Sequence, residues 1–291
     1  MNVIHRFWTW LRRPNKSTIE QWIETIVVIV PIAFVIRTYF YGLYQVPTGS
    51  METTMLVGER FFADKFTVLF RPLKHEDIIT FNDPTYNYSS NYVKNLFERY
   101  VWGPSNWTKR LIGLPGDHIE GKIEDGKPVV YRNGVKLDEP YINKYPLIGH
   151  YVEGKMPPWE MRSVDESISY EDQPFYRMTA ADVDLGKKLL ERYGQEWKRL
   201  PYTPTIDNYR NIDVYDVHLG PTQVWAMGDN RKGSLDSRYW GPLDLKLIHG
   251  KIVIRLWSID SNESWFIIDL IKHPIDFWKR VRWNRFFQFV Y

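Results

Sequence analysis

Apolar positions crowd the first fifty residues too densely for one face of a surface helix, and beyond them apolar and polar residues alternate in short stretches. The uncharged run over residues 25–36 falls well short of the roughly 20 residues that cross a hydrocarbon core. Uncharged positions resume from Thr38 to Met51, so a membrane helix over 22–43 is expected, carrying Glu24 at its start and Arg37 towards its end. Arginine near a helix end snorkels to the headgroups, and Glu24 falls at the opposite interface. Pro31 is tolerable there because neighbouring groups satisfy the carbonyl it frees. Past this segment, residues 60–66, 77–81, 108–112, 128–132, 222–227 and 251–257 alternate or are β-branched and predict strands. Asn133-Gly134 between two apolar pairs predicts a tight hairpin, whose turn favours positive φ at both positions. The fold class expected is mainly β.

Between the strand groups, residues 118–221 differ in character. They hold Pro157-Pro158, Pro174, Pro201 and Pro204, acidic loops around Asp165–Asp172, and a helix-forming stretch over 180–198. Near the C-terminus, Lys272, Lys279, Arg280, Arg282 and Arg285 interleave with Phe277, Trp278, Trp283, Phe286 and Phe287. That composition suits either a helix at an anionic lipid interface or one packed on its own domain.

Charge orients the chain. Arg6, Arg12, Arg13 and Lys16 precede the apolar segment, whereas Thr38–Glu59 has no Lys or Arg, so residues 1–21 are expected to be cytoplasmic and the rest to face outward. No small-residue cleavage site follows the segment, which therefore reads as an anchor rather than a removable leader. The net charge of +3 gives no whole-protein case for nucleic acid. Absence of cysteine excludes disulfides, a thiol nucleophile and thiolate metal sites, and no zinc-protease, P-loop or dinucleotide motif is present. Neither a metal nor a cofactor is expected.

Two short motifs carry candidate chemistry: Pro47-Thr48-Gly49-Ser50-Met51, just beyond the anchor, and Thr108-Lys109-Arg110-Leu111-Ile112-Gly113-Leu114-Pro115-Gly116-Asp117. A serine hydroxyl needs a partner to take its proton, and lysine can do so only where its surroundings keep it neutral. Trp107, Leu111 and Ile112 around Lys109 supply apolar neighbours that disfavour the ammonium.

Together with Gly228-Asp229-Asn230-Arg231-Lys232-Gly233-Ser234-Leu235-Asp236-Ser237-Arg238-Tyr239-Trp240-Gly241, these motifs, in this order beside a membrane segment, resemble the bacterial type I signal peptidases. Those enzymes are membrane-bound Ser/Lys proteases that remove signal peptides from exported proteins. The resemblance implies a membrane-anchored β catalytic domain with an inserted mixed α/β second domain. The divisions it suggests are an anchor at 22–43, catalytic segments at 44–117 and 222–262, the insertion at 118–221, and a basic aromatic segment at 263–291.

By that resemblance Ser50 is the nucleophile, Lys109 the general base and Ser234 the group that orients the amine. The Ser50 N–H and Thr48 hydroxyl become candidates for the oxyanion hole. Asp229, Arg231, Asp236 and Arg238 read as an ion-paired support, with Arg110 a further member. An extended substrate strand presents every second residue to the same side, so shallow pockets select small residues at the first and third positions before the cut. Tyr44, Val46, Pro47, Trp107 and Thr108 are expected to line them.

The expected partners are signal peptides of exported preproteins and membrane lipid, beside the export machinery at the outer face of the cytoplasmic membrane. Departures from the family pattern fall at Thr53-Thr54, Gly58-Glu59, His75-Glu76-Asp77-Ile78 and Thr108; they bear on fine specificity. The competing readings are an inactive membrane-tethered domain that binds extended peptides, a self-cleaving Ser/Lys protease, which lacks support because no DNA-binding segment precedes Ser50, and a hydrolase using His118.

Overall fold

The computed structural model describes residues 3–100, 103–151, 159–165, 167–169, 172–173, 181, 184, 188, 212–261 and 266–290. Helix α1 (Val3–Leu11) precedes the long apolar helix α2 (Thr18–Tyr39). A capping box begins α2, with the Ser17 side chain and Glu20 each bonded to the other's backbone. Its 22 residues span about 33 Å at about 1.5 Å per residue, enough for a hydrocarbon core of about 30 Å. Glu24 pairs with Lys16 at 2.6 Å. One π-helical turn over Thr25–Ile29 leads into Pro31, loosening the ladder where proline offers no N–H and crowds the preceding turn.

The helix starts and stops earlier than the expected 22–43. Residues Tyr41–Gln45 form strand β1 instead, paired with β2 (Arg60–Asp64) from Tyr41↔Asp64 to Gln45↔Arg60. An uncharged, Tyr-rich stretch satisfies either element, and pairing with β2 decides between them. Gly42 fits because a Cβ there would meet the Tyr44 ring.

The remaining strands are β3 (Ile78–Asn82), β4 (Asn106–Gly113), β5 (His118–Glu124), β6 (Lys127–Arg132), β7 (Val135–Lys136), β8 (Leu147–Tyr151), β9 (Trp159–Ser163), β10 (Tyr215–His218), β11 (Gln223–Met227), β12 (Leu243–Asp244), β13 (Ile248–Trp257) and β14 (Gln288–Phe289). The larger sheet runs β1-β2-β13-β3-β4-β11-β12, with β14 also on β13. Its core holds Met51, Met55, Phe61, Ala63, Ile78 and Ile252 in one cluster, and Ile79, Phe81, Leu111, Val224 and Leu243 in another.

Residues between β4 and β11 build a second sheet, β10-β5-β6-β7, and a separate hairpin, β8-β9. Adjacent strands β5 and β10 take the chain out and bring it back. Ile112, Ile119, Val130, Leu219, Trp225 and Met227 pack as one cluster across the two sheets, so apolar packing runs through the junction near 118. The expected hairpin turn forms, with φ of 53° at Asn133 and 78° at Gly134. The helix expected over 180–198 lies outside the described residues except at Ala181, Asp184 and Lys188, which are helical.

Short helices α3 (Tyr92–Tyr100), α4 (Ser237–Trp240), α5 (Phe266–Lys272) and α6 (Asp276–Lys279) lie outside the sheets. Of the C-terminal basic cluster, Arg280, Arg282 and Arg285 turn inward onto Asp269, Asp260 and Glu59. Their charges bind their own domain, while the stacked Trp278 and Trp283 rings remain exposed.

Candidate active site

Ser50 sits in a single 3-10 turn, Gly49–Met51, shortly after β1. Asn230 holds this turn, donating its backbone N–H to the Ser50 carbonyl at 3.1 Å and its side-chain amide to the Gly49 carbonyl at 3.0 Å. Gly49 must be glycine for a steric reason: a Cβ would come within 2.9 Å of the Glu52 carboxylate packed beneath it. Glu52 is itself fixed by Arg162 of β9 at 3.1 Å, both side chains being almost completely buried.

Lys109 approaches from β4. Its Nζ donates to Ser50 Oγ at 3.1 Å and to the Thr108 carbonyl at 3.1 Å. The residue is only 5% exposed. Burial pushes the amine down to about 8; Asp236 and Asp229 resist that shift and Arg238 reinforces it. About a tenth of the amine is therefore neutral at pH 7 and about half at pH 8, far more than for an ordinary lysine, and within proton-transfer reach of a hydroxyl.

The loop after β11 closes the site through paired charges. Arg110 grips Asp229 with two hydrogen bonds of 2.8 and 2.7 Å, and the Thr54 hydroxyl adds a third to that carboxylate at 2.5 Å. Arg238 holds Asp236 in the same forked way and reaches Asp213 at 2.7 Å. Arg231 takes its partner from the second sheet's side of the chain, Glu139. The four expected support residues thus form three ion-paired units around the loop, with Arg110, Glu139 and Asp213 completing them. Such forked Arg–carboxylate pairs fix orientation as well as distance.

Ser234 lies buried against Gly228, where a Cβ would collide with its hydroxyl. The hydrogen bond expected from Ser234 to the amine is not made here, since the Ser234 hydroxyl is buried without a hydrogen-bond partner. Thr48 is exposed and extended, at φ −137° and ψ 157°, and its hydroxyl does not cap the turn.

Of the expected pocket residues, Val46 is buried in the core and Tyr44 is tied to His249 at 3.1 Å. Pro47 is exposed, and Trp107 packs on Phe81 with its ring 5.9 Å from Lys109 Nζ. Thr108 supplies the carbonyl already described.

Register reveals an open strand edge. β3 covers one side of β4 from Asn106 to Arg110, whereas β11 pairs β4 only at Arg110, Leu111 and Gly113. Among the described residues, 106–109 therefore have no strand pairing on the β11 side, at the point where Lys109 meets Ser50.

His118 stands elsewhere. In the second sheet its ring bonds Asp216 at 2.6 Å and stacks on His218, with centroids 3.9 Å apart. These three residues bring potential metal-ligand atoms within 4.8 Å of one another, in a cluster on β5 and β10 rather than beside Ser50.

Sequence reasoning missed Asn230, Glu52, Arg162 and Glu139. Asn230 lay inside a quoted motif but offered no titratable chemistry. Arg162 had no signal at all, because its partner is 110 residues away.

A model of the family described as signal peptidase, peptidase S26, matches residues 19–257. A Buchnera aphidicola protein named signal peptidase I is 28% identical over 258 residues, covering 86% of this chain and 79% of that protein. A Synechocystis protein named probable signal peptidase I-2 is 26% identical over 246 residues, covering 84% and 77% respectively. The crystal structure of an Enterococcus faecalis signal peptidase I aligns with 62% of this chain and 97% of that one, at 20% identity and a TM-score of 0.28. A family match running from the apolar helix through the last long strand leaves one conclusion: the chain belongs to the signal peptidase family, peptidase S26, as a serine endopeptidase of the bacterial type I class.

Proposed function

We propose that this chain removes signal peptides from exported preproteins by a Ser/Lys mechanism in which Ser50 attacks the scissile carbonyl and Lys109 acts as general base. The observation that carries the reading is the buried amine of Lys109, depressed to about 8 and 3.1 Å from Ser50 Oγ. Neutral Lys109 takes the hydroxyl proton as the serine oxygen bonds to the carbonyl carbon, and returns it to the leaving amine. Water, deprotonated by the same amine, then cleaves the acyl-serine. The Ser50 N–H and Thr48 hydroxyl stabilise the oxyanion, and the exposed, uncapped state of Thr48 leaves its hydroxyl available for this. Lys109 has a third amine position beyond its two described hydrogen bonds, and Ser234 a buried unpartnered hydroxyl; their engagement when substrate binds would aim the amine.

The open edge at 106–109 supports binding of the substrate as an added strand. Backbone hydrogen bonding there makes the peptide lie extended across the dyad, with alternate side chains facing Tyr44, Val46, Pro47, Trp107 and Thr108. Small residues fit at the first and third positions before the cut, because a side chain that cannot enter displaces the carbonyl from near-attack range.

Helix α2 serves as a single membrane span with a cytoplasmic N-terminus, so the dyad works on the outer face of the cytoplasmic membrane, beside the export machinery. Contact between Ser50 and Lys109 argues against an inactive peptide-binding domain.

The test is incubation of the detergent-solubilised chain with a synthetic preprotein, reading the new N-terminus by mass. Cleavage after Ala at the first and third positions is expected. Equal rates for Ala and Phe at the first position would overturn the small-pocket reading, and full activity of Ser50→Ala would overturn the mechanism.

A further inference from the structure

The register fixes which elements emerge at the membrane end of the larger sheet. β1 begins at Tyr41, directly after α2, and the row through Tyr41 continues as Asp64, Lys251, Ile79 and Lys109. β3 runs from that row towards the anchor and ends at Asn82, three residues past Ile79, with Asn106 of β4 opposite. The excursion over residues 83–105, which contains α3, therefore leaves the sheet at the end where α2 enters. The C-terminal segment leaves from the other end, beyond the Gln45–Arg60–Trp257 row.

Helix α3 has one largely exposed apolar face. Tyr92, Val93, Leu96 and Phe97 are 76%, 74%, 38% and 52% exposed. At 3.6 residues per turn these four occupy one arc of about 140°. Lys94 and Arg99 flank that arc on either side and are exposed, while the helix's one acid, Glu98, is buried and accepts a hydrogen bond from the Ser89 backbone. Lys94 stands 3.8 Å from the buried Glu98 and keeps most of its side chain exposed, so an exposed apolar stripe bordered by two exposed cations is presented, complementary to an anionic lipid surface. Aromatic rings mark the same end of the sheet: Phe40, the residue after α2, stacks on Phe66 at 5.0 Å, and Phe66 contacts the largely exposed Phe70 at 4.9 Å. Rings of this kind collect at the membrane–water interface.

We propose that α3 is a second membrane contact, lying in the headgroup region of the outer leaflet with Tyr92, Val93, Leu96 and Phe97 turned into the acyl boundary. This rests on the reading of α2 as a span and adds to it. A single span holds the catalytic domain at one corner of the larger sheet; a second contact, on the excursion between β3 and β4, fixes its tilt. It also holds the open edge at 106–109, which directly follows the excursion, close to the lipid from which a membrane-embedded substrate emerges.

The absence of cysteine allows a direct test in the full chain. Single variants Phe97→Cys, Val27→Cys and Val135→Cys are labelled with an environment-sensitive fluorophore in vesicles containing phosphatidylglycerol. Val27 lies in α2, and Val135, 67% exposed in the second sheet, reports on water. Lipid-borne spin labels should quench the Phe97 label several-fold more than the Val135 label, with iodide showing the reverse. Adding Lys94→Gln should weaken lipid quenching at Phe97 about fivefold, the loss of one cation at an anionic surface. A Phe97 label as open to iodide as that at Val135, while Val27 is lipid-quenched, would overturn the α3 contact and leave the span intact. Shielding of Phe97 from both quenchers would mean a protein partner and would also overturn it. A Val27 label open to iodide would overturn the span itself, and the α3 contact with it.

Discussion

Replacing Lys109 by Met should abolish activity and make the protein more stable. In an open chain the amine titrates at 10.5, and in the fold at about 8. At about 1.36 kcal/mol per pH unit this difference amounts to about 3 kcal/mol acting against the folded state wherever the lysine is protonated in both states. The sign follows from proton counts. Below about 8 both states hold the proton and the full penalty applies; between about 8 and 10.5 the unfolded state binds more protons, so stability rises with pH; above 10.5 the penalty is gone. Methionine fills similar volume without a charge, so Lys109→Met should gain up to about 3 kcal/mol at pH 7, less the contribution of the two amine hydrogen bonds, about 1 kcal/mol each. Urea unfolding of both proteins in the same detergent, followed by tryptophan fluorescence, measures the gain. With a slope of about 1–3 kcal/mol per molar the midpoint moves upward by a readily measured amount, and the advantage should shrink towards pH 10.5. A variant less stable than the parent at pH 7, or an advantage independent of pH, would refute the claim that the site holds a strained, functional amine. With Lys109 as the proposed base, activity should climb with pH and level off above about 8, with the inflection unmoved in His118→Ala.

Lys109→Arg should be inactive, because arginine keeps its proton at any working pH; substantial cleavage would remove Lys109 from the role of base. Thr48→Ala should lower turnover by about 10²–10³ with little change in binding, and Thr48→Ser should be mild; a pure binding defect would exclude the oxyanion role. Arg162→Met leaves the Glu52 carboxylate buried without its described partner, and should cost about 3–5 kcal/mol along with activity. The double variant Glu52→Met, Arg162→Met should recover most of that stability, and equal loss in both would show that the charge pair is not the cause.

What the sequence determined was local or modular. Six strands lay within a few residues of their predicted places because period-two patterning needs no partner to be visible, and the Asn133-Gly134 turn followed from the positive φ both positions adopt. Ser50, Lys109 and the Gly228–Gly241 block were legible because each is a compact motif. The apolar helix was equally visible, but not its end: residues 41–43 suit helix or strand, and only pairing with β2 made them part of β1. Tertiary structure alone decided which charges meet. Asp229 and Asp236 choose Arg110 and Arg238, Arg231 reaches out to Glu139, and Glu52 under the Ser50 turn is held by Arg162 from a hairpin far along the chain. Sequence shows that a lysine has apolar neighbours, but the desolvation that lowers its pKa is a property of the closed site, assembled from strands and loops that sequence separation keeps apart.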